Sequence, residues 1–428
     1  MTQFSPVQGQ LLTPAKNVPP SGPLTALGQN LEDEGIRLNS LIFDSFENNV
    51  STGENPGESG NDVSVFLGAD FDLAKLADLP GATLHVQGGY FFGRVNNSVT
   101  RGWLQAASSV LAGLPFINRP RSYYLTRFSY EQTLCADRLD IEIGRINAKR
   151  AFDLPPPGNS LSTDDPVFAM DGGTSPAPYA HWGARARLTV TPRWSAGFGT
   201  YLVDTSENQT FGTDWRFDQA SGALFVSNVV YQTDWSQSSY PSRFELVPFH
   251  NSSPVKDPLH PSALHTGVYG IASRLQQTIW RNKLSKSVVP QHVDLFGSVS
   301  YTPNPYVVAA NNQEVGVTLF GLTPDAALDS ITAKIDHLGL TQRAIEFERQ
   351  ARVAAGGPDV STGTDEYRLE LNAHVDLARG IGLEPVAEYI VNPDTSGNPN
   401  SAKVPRNGFV LALALIIHPN TVLGLPQS

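Results

Sequence analysis

From Glu366 to Leu377 the chain reads EYRLELNAHVDL, with Glu366, Arg368, Glu370, Asn372, His374 and Asp376 alternating against Tyr367, Leu369, Leu371, Ala373, Val375 and Leu377. This is the period of two of a β-strand, not the 3.6 of a helix. A strand with one apolar face and one densely ionisable face separates two different solvents. At roughly 3.3 Å per residue this run reaches roughly 40 Å, enough to cross a bilayer even when tilted. Strands of soluble sandwiches are usually about 5–6 residues long. The pattern recurs: Trp182, Ala184, Ala186, Leu188 and Val190 alternate with Arg185, Arg187, Thr189 and Thr191. Likewise Thr126, Phe128 and Tyr130 oppose Arg127, Ser129 and Glu131, and Tyr269, Ile271 and Leu275 oppose Arg274 and Gln276. In GFVLALALIIH the residues Phe409, Leu411, Leu413, Leu415 and Ile417 share one face, with small Ala412 and Ala414 on the other. An arginine at mid-strand on a lipid face costs roughly 2–4 kcal/mol, so the charged faces point to water. A soluble antiparallel sheet with its charged face outward gives the same alternation and stays open at this level.

Sixteen strands are expected along the chain, near 35–46, 62–73, 82–93, 122–133, 137–146, 181–191, 194–204, 223–234, 240–249, 265–280, 291–302, 314–323, 327–338, 365–378, 381–391 and 407–418. The even count is what a bacterial single-chain barrel requires, and a barrel of that size encloses water. Connections fall into two interleaved classes. Ala136-Asp137, Pro192-Arg193, Thr323-Pro324 and Arg379-Gly380 read as short periplasmic turns, whereas 94–121, 147–180, 205–222, 250–264, 339–364 and 392–406 read as extracellular loops. Helical spacing is expected in Leu24–Gly35, Trp103–Leu114 and Ile345–Ala355, and the proline-rich stretch Phe152–Pro178 is stiff enough to fold inward. The expected fold is therefore all-β: a transmembrane, antiparallel, up-and-down β-barrel with structured extracellular loops folded into the pore. Residues 1–30 form a flexible N-terminal segment with a short periplasmic or plug-like helix, 31–418 the barrel and 419–428 a tail.

Composition narrows the alternatives. Of 428 residues only 17% are charged, with Gly 37, Pro 32, Met 2 and Cys 1; a soluble protein usually carries about 25% charged residues. The lone Cys135 excludes an intrachain disulfide and a cysteine-rich metal site. The net charge of −11 argues against nucleic acid and against a pore that attracts anions throughout. The longest apolar run, Phe409–Ile417, is half of a membrane helix, so a membrane protein of this sequence crosses as a closed barrel. Met1–Ser21 contains no apolar core of the signal-peptide kind, and the chain is expected to be the processed form of a secreted protein.

Several blocks together resemble the carbohydrate-selective porins of the OprB type. They are VFLGADFDLAKLADLPGATLHVQ (Val65–Gln87), YLTRFSYEQTL (Tyr124–Leu134), IEIGRINAKRAF (Ile141–Phe152), YGIASRLQQTIWR (Tyr269–Arg281), VDLFGSVSYTPN (Val293–Asn304), VGVTLFGLTPD (Val315–Asp325) and the closing stretch Leu383–Leu415. The resemblance implies a sixteen-stranded outer-membrane barrel that passes monosaccharides by facilitated diffusion, with small neutral sugars and outer-membrane lipid as partners and no cofactor. Its oligomeric state is left between monomer and trimer. Two features depart from the family pattern: 147–180 has no cysteine pair, and the chain runs past His418 to Ser428 without a terminal aromatic.

A pore selective for a neutral sugar needs fixed donors and acceptors at its narrow point, and aromatic surface for the ring. Arginine forks donate to neighbouring hydroxyls, and carboxylates accept from hydroxyls and hold the arginines. The candidates for the constriction are Arg94, Arg127, Glu131, Arg145, Arg185 and Arg187, with Trp103 as a stacking surface. For each arginine the competing role is charge balance on the wall, and Trp182 competes between stacking and an interfacial girdle. No GxSxG, HExxH, Walker or CxxC motif occurs, and no catalytic residue is expected. Glu384 and Glu388 share a face but lie roughly 13 Å apart, beyond glycosidase spacing, although Glu370 on a neighbouring strand approaches more closely. His260 and His265 are a weak metal signal, and Asp394, Asn398 and Asn400 offer oxygen ligands for Ca²⁺ in what is more simply a polar loop. The alternatives are a general diffusion pore, an outer-membrane hydrolase and a soluble all-β carbohydrate-binding protein.

Overall fold

The computed structural model describes residues 21–426 except 96–121, 153–158, 160–161, 163–164, 174–178, 204–210, 214, 216, 285–288, 324–328, 397 and 399. Sixteen strands close into one antiparallel barrel in which each pairs with its neighbours in sequence. The first eight are β1 (Ile36–Asn49), β2 (Ser59–Asp72), β3 (Ala82–Val95), β4 (Ser122–Leu134), β5 (Leu139–Ile146), β6 (His181–Thr191), β7 (Trp194–Val203) and β8 (Gly222–Gln232). The second eight are β9 (Ser242–Asn251), β10 (Val268–Arg281), β11 (His292–Tyr301), β12 (Ala309–Phe320), β13 (Ser330–Leu340), β14 (Asp365–Ala378), β15 (Ile381–Val391) and β16 (Gly408–Ile417). β1 and β16 close the ring in the register Ile42↔Ile417 through Asn49↔Val410. Among the described residues no helix is long and apolar enough to cross a membrane; the crossing elements are the strands.

The alternation sorts the faces as the period of two requires. On β14, Tyr367, Leu369 and Leu371 are exposed on the outside, while Glu366, Arg368, Glu370, Asn372 and His374 are buried on the inside. On β16, Phe409, Leu411 and Leu413 face out, and Ala412 and Ala414 line the inner wall. Two local departures have physical causes. Thr126, expected on the outer face, lies at a register shift opposite Gln87 and Gly88 and donates to Gln87 Oε1 at 2.9 Å. The extra residue of this bulge reverses the alternation before Arg127, so that Tyr124 packs with Phe66 and Phe91 while Arg127, Ser129 and Glu131 keep the lumen face. β12 begins at Ala309 rather than 314, because inward Asn312 is engaged by Arg368 at 3.0 Å and its side chain breaks the apolar pattern that marks a strand in sequence.

Short helices tie the ends and loops to the wall: α1 (Thr25–Asp33), α2 (Leu73–Ala77), α3 (Lys149–Phe152), α4 (Pro166–Asp171), α5 (Gln342–Ala354) and α6 (Pro419–Leu423). α1 falls within its expected helix, and α5 overlaps its own but begins three residues earlier, at Gln342, where Thr341 Oγ1 caps it by accepting from Ala344 N–H; Trp103–Leu114 lies outside the described residues. α1 and α6 meet below the closing seam, where Leu24 N–H donates to Leu423 O at 2.9 Å and Asn420 bonds both Ser40 and the Leu38 carbonyl of β1.

The connection from β5 to β6 turns inward and packs on the inner wall. Phe168 of α4 meets Phe249 edge-on at 5.3 Å, within an apolar cluster of Ile146, Phe152, Tyr201, Val203, Leu224, Val226 and Val247. The inner face of β7–β9 is therefore apolar where the loop covers it, an exception to the polar-lumen expectation. Asp165 caps α4 by accepting from Val167 N–H at 2.9 Å and also accepts from Ser300 Oγ on β11 at 2.9 Å. Asn251 holds the Asp171 carbonyl at 3.0 Å, Arg274 holds the Phe152 carbonyl at 3.0 Å, and Asn159 reaches the Ala373 carbonyl on β14 at 2.8 Å. The described residues of this connection thus touch the wall from β9 to β11 and, through Asn159, β14 on the far side.

A second clasp lies at the extracellular rim. Glu348 on α5 accepts from Thr395 N–H (3.0 Å) and Oγ1 (2.7 Å) and from Ser396 Oγ (2.7 Å), and Arg352 donates to the carbonyls of Lys403 and Val360. Burial, reinforced by the neighbouring Asp394, pushes the Glu348 carboxyl from 4.5 up to about 7. Between those values the native clasp holds a proton that the opened loop releases, so the clasp weakens as pH rises through that window. Limited proteolysis within 341–364 should accordingly be faster at about pH 8 than at about pH 5, and E348Q should remove most of the difference. Equal protection at both pH values would contradict this assignment.

Candidate functional site

The lumen-facing wall of β4, β5 and β6 carries an ionic cluster centred on Glu142. Register places Glu131 opposite Glu142, and Glu142 opposite Arg185. Two carboxylates directly across a strand pair repel unless cations intervene, and here they do. Arg127 donates to Glu142 Oε1 through Nη2 (2.5 Å) and Nε (2.9 Å), and Ser129 Oγ donates to the same oxygen at 2.6 Å. Arg185 Nε donates to Oε2 at 2.6 Å, and Arg150 Nη1 on α3 lies 3.7 Å from Oε1. Glu131 contacts Arg127 and Arg185, each at 3.3 Å, and His85 at 3.4 Å; His85 is held in turn by Asp70 at 2.6 Å. Glu142 is fully buried, whereas the side chains of Glu131 and Arg185 are 25% and 15% exposed and present free edges to the lumen. Because Arg150 belongs to the inward loop, this cluster is where loop and wall meet.

Three of the expected constriction residues, Arg127, Glu131 and Arg185, are therefore brought together. Arg187 lies on the same inward register of β6 and is exposed to the lumen. Arg145 is placed differently. It is fully buried in the wall, where it donates to Ala180 O at 2.7 Å and Tyr124 OH at 3.4 Å and lies 5.8 Å over the Trp182 ring. Trp182 joins Trp215 (4.8 Å) and Phe217 (5.2 Å) in an aromatic group, with Trp215 and Phe217 exposed. Arg94 is the penultimate residue of β3, opposite Asn61; its side chain, like all of Trp103, lies outside the described residues.

Arg145 is kept out of the cluster by its bonds to Ala180 and Tyr124, next to Gly144, whose φ of 141° interrupts the regular strand. Arg150 carries no signal in the sequence, because it sits in a loop and reaches the cluster only through the inward fold. Also unforeseen as a group is Glu245 of β9, which accepts from Asn228 (2.7 Å) and Arg243 (3.0 Å) and lies 3.9 Å from Arg274.

The opposite wall, β12 to β15, is also ionic but sealed. Lys334 lies 2.8 Å from Glu314 and 3.6 Å from Glu370, Arg368 pairs with Asp336, and His374 bridges Glu384 (2.7 Å) and Asp376 (3.3 Å). Glu370 stands directly opposite Glu388, the approach that kept hydrolytic chemistry open in the sequence. Among the described residues no three His, Cys, Asp or Glu side chains converge on a metal position. Asp394 and Asn398, weighed as Ca²⁺ ligands, serve the rim: Asp394 accepts from Ser396 N–H at 2.6 Å and Asn398 donates to Glu54 at 3.0 Å.

Removing Glu142 leaves the guanidiniums around it uncompensated in a buried site. Glu142→Ala should destabilise the barrel by about 3–5 kcal/mol, visible as a lower temperature for loss of the compact band on SDS gels. Arg187→Ala, which breaks no ion pair among the described residues, should stay within about 0.5 kcal/mol of the parent. Equal loss in the two variants would refute the cluster's structural role.

Comparison with known proteins agrees with this architecture. The family model for carbohydrate-selective porins of the OprB family matches residues 60–417. The putative porin QuiX of Acinetobacter baylyi is 20% identical over 397 residues, covering 85% of this chain and 86% of that protein. A high-pH structure of Pseudomonas putida OprB superposes with a TM-score of 0.76 at 18% identity, covering 91% of this chain and 96% of that one. A low-pH structure of the same protein gives 0.55 at 16% identity, with 91% and 94% covered. The chain is a bacterial outer-membrane channel, not an enzyme, and belongs to the OprB family of carbohydrate-selective porins.

Proposed function

We propose that the pore passes monosaccharides and holds back larger sugars, with its narrow point between the inward helix α3 and the cluster of Arg127, Glu131 and Arg185. The observation that carries this reading is the meeting of loop and wall at Glu142, where Arg150 comes from the loop and Arg127 and Arg185 from the strands. The buried carboxylate, held by buried Arg127 on one side, fixes the Arg185 fork, so its outer N–H groups are pre-positioned for hydroxyl oxygens without an ordering cost at each passage. Glu131 supplies the complementary acceptor. Such contacts are weak one at a time, which a conducting pore needs: a solute held by a full set of bonds would not leave. Arg145 in this reading supports the wall beside the narrow point and does not touch the solute.

Swelling of proteoliposomes in glucose and in a disaccharide tests this. Glucose should enter several-fold faster than the disaccharide, and replacing Arg127 and Arg185 by Ala should narrow that ratio in protein that still migrates as the compact species. Equal entry of both sugars into vesicles carrying the parent chain would favour a general diffusion pore with the same barrel.

A further inference from the structure

Away from the cluster at Glu142, the inner wall carries another arginine in a different setting, at the end of the barrel where the short periplasmic turns lie. Arg281, His292 and Phe320 stand in direct cross-strand register on β10, β11 and β12. They share the inward face with Asp294, which accepts from Thr278 Oγ1 at 2.7 Å and from Gln276 Nε2 at 2.8 Å. The His292 ring stacks on Phe320 at 4.8 Å, and both are buried. The turn from β8 to β9 closes against this row. Its Trp235 meets His292 edge-on at 5.0 Å, and the Arg281 guanidinium lies 5.8 Å over the ring of its Tyr240. Four rings, two from the turn and two from the wall, thus gather beside one guanidinium.

That guanidinium is uncommitted. Among the described residues Arg281 makes no ion pair and no hydrogen bond; its Nε is sealed in the wall, whereas its two Nη groups are not. The acid of the same row, Asp294, is already taken by Thr278 and Gln276. Tyr240 is 41% exposed, and Trp235 is half-buried. Free donors beside accessible aromatic surface are the two features that recognise a sugar: hydroxyl oxygens accept from the fork while the weakly apolar ring face rests on an aromatic. We propose that the periplasmic mouth holds a second sugar subsite, with the Nη groups of Arg281 as donors and Tyr240 and Trp235 as ring surface. A monosaccharide that has passed the arginine cluster is held there weakly before it leaves, since conduction through a pore runs best over several weak sites. This rests on the sugar-pore reading and adds a second station to it. The inward register of Arg281 puts it on the path of the solute and not against lipid.

Titration of the detergent-solubilised barrel with glucose, read by tryptophan fluorescence, tests the subsite. Glucose should shift the emission, and W235F should remove most of the shift. That variant keeps a ring in place and breaks no hydrogen bond, because the buried Trp235 Nε1–H has no acceptor among the described residues. R281Q should raise the half-saturating glucose concentration about tenfold, the worth of one hydrogen bond to a charged group. R281K should retain part of the affinity, and R193Q, which removes the same charge from the exposed β6–β7 turn, should leave it unchanged. A shift that survives W235F undiminished, or a half-saturation unmoved by R281Q, would overturn the subsite. A shift produced by phosphatidylglycerol and not by glucose would also overturn it and assign the arginine to a lipid headgroup. Glucose uptake into proteoliposomes made from the same preparations reads the pore separately: no entry with the parent chain would sink the sugar-pore reading, whereas entry without the emission shift would remove only the subsite.

Discussion

In a hydrocarbon layer an unpaired backbone N–H or C=O has no water to turn to, and each costs several kcal/mol. Closure of the sheet between β1 and β16 therefore conditions everything else in the molecule. The seam runs from Ile42↔Ile417 to Asn49↔Val410, and α1 with α6 lies directly below it, Asn420 bonding into β1. A β1 that extends lower than β16 would expose backbone at its foot; the carboxy-terminal turn fills that position. Once the ring is closed, period-two alternation assigns each side chain to lipid or lumen, and the fold has little further freedom.

Closure creates a second problem inside. Lumen-facing strands bring acids into cross-strand register, as with Glu131 and Glu142 or Glu370 and Glu388. The two walls meet it differently. On β4 to β6 the acids are interleaved with arginines from neighbouring strands and from the inward loop, which leaves rigid, partly exposed guanidinium edges. On β12 to β15 lysine, arginine and histidine are drawn fully into the wall. Fixed donors therefore line one side and a sealed surface the other.

The inward loop is held by two kinds of contact that act together. Apolar packing of Phe152 and Phe168 against Tyr201, Leu224 and Phe249 supplies the attraction, and side chains from β9, β10 and β11 satisfy backbone groups and the Asp165 cap so that burial leaves few of them unpaired. An inward loop with only the first would slide; with only the second it would hydrate.

Much of this was legible from residue order. Alternation placed all sixteen strands, because lipid on one side and water on the other impose a period that needs no knowledge of neighbours. The inward orientation of Arg127, Glu131, Arg185 and Arg187 followed from the same rule. Residue order did not show which inward groups meet, because partnership depends on register between strands and on loops that return from far along the chain. Glu142 became the centre only when β4, β5, β6 and α3 were brought together. Arg145 is drawn into the wall by its bonds to Tyr124 and Ala180. The sequence by itself determined the barrel and the face of each side chain, since both are local consequences of the solvent; the tertiary structure alone decided which charges are neutralised and which remain for a solute, since that is settled by distances between residues far apart in the chain.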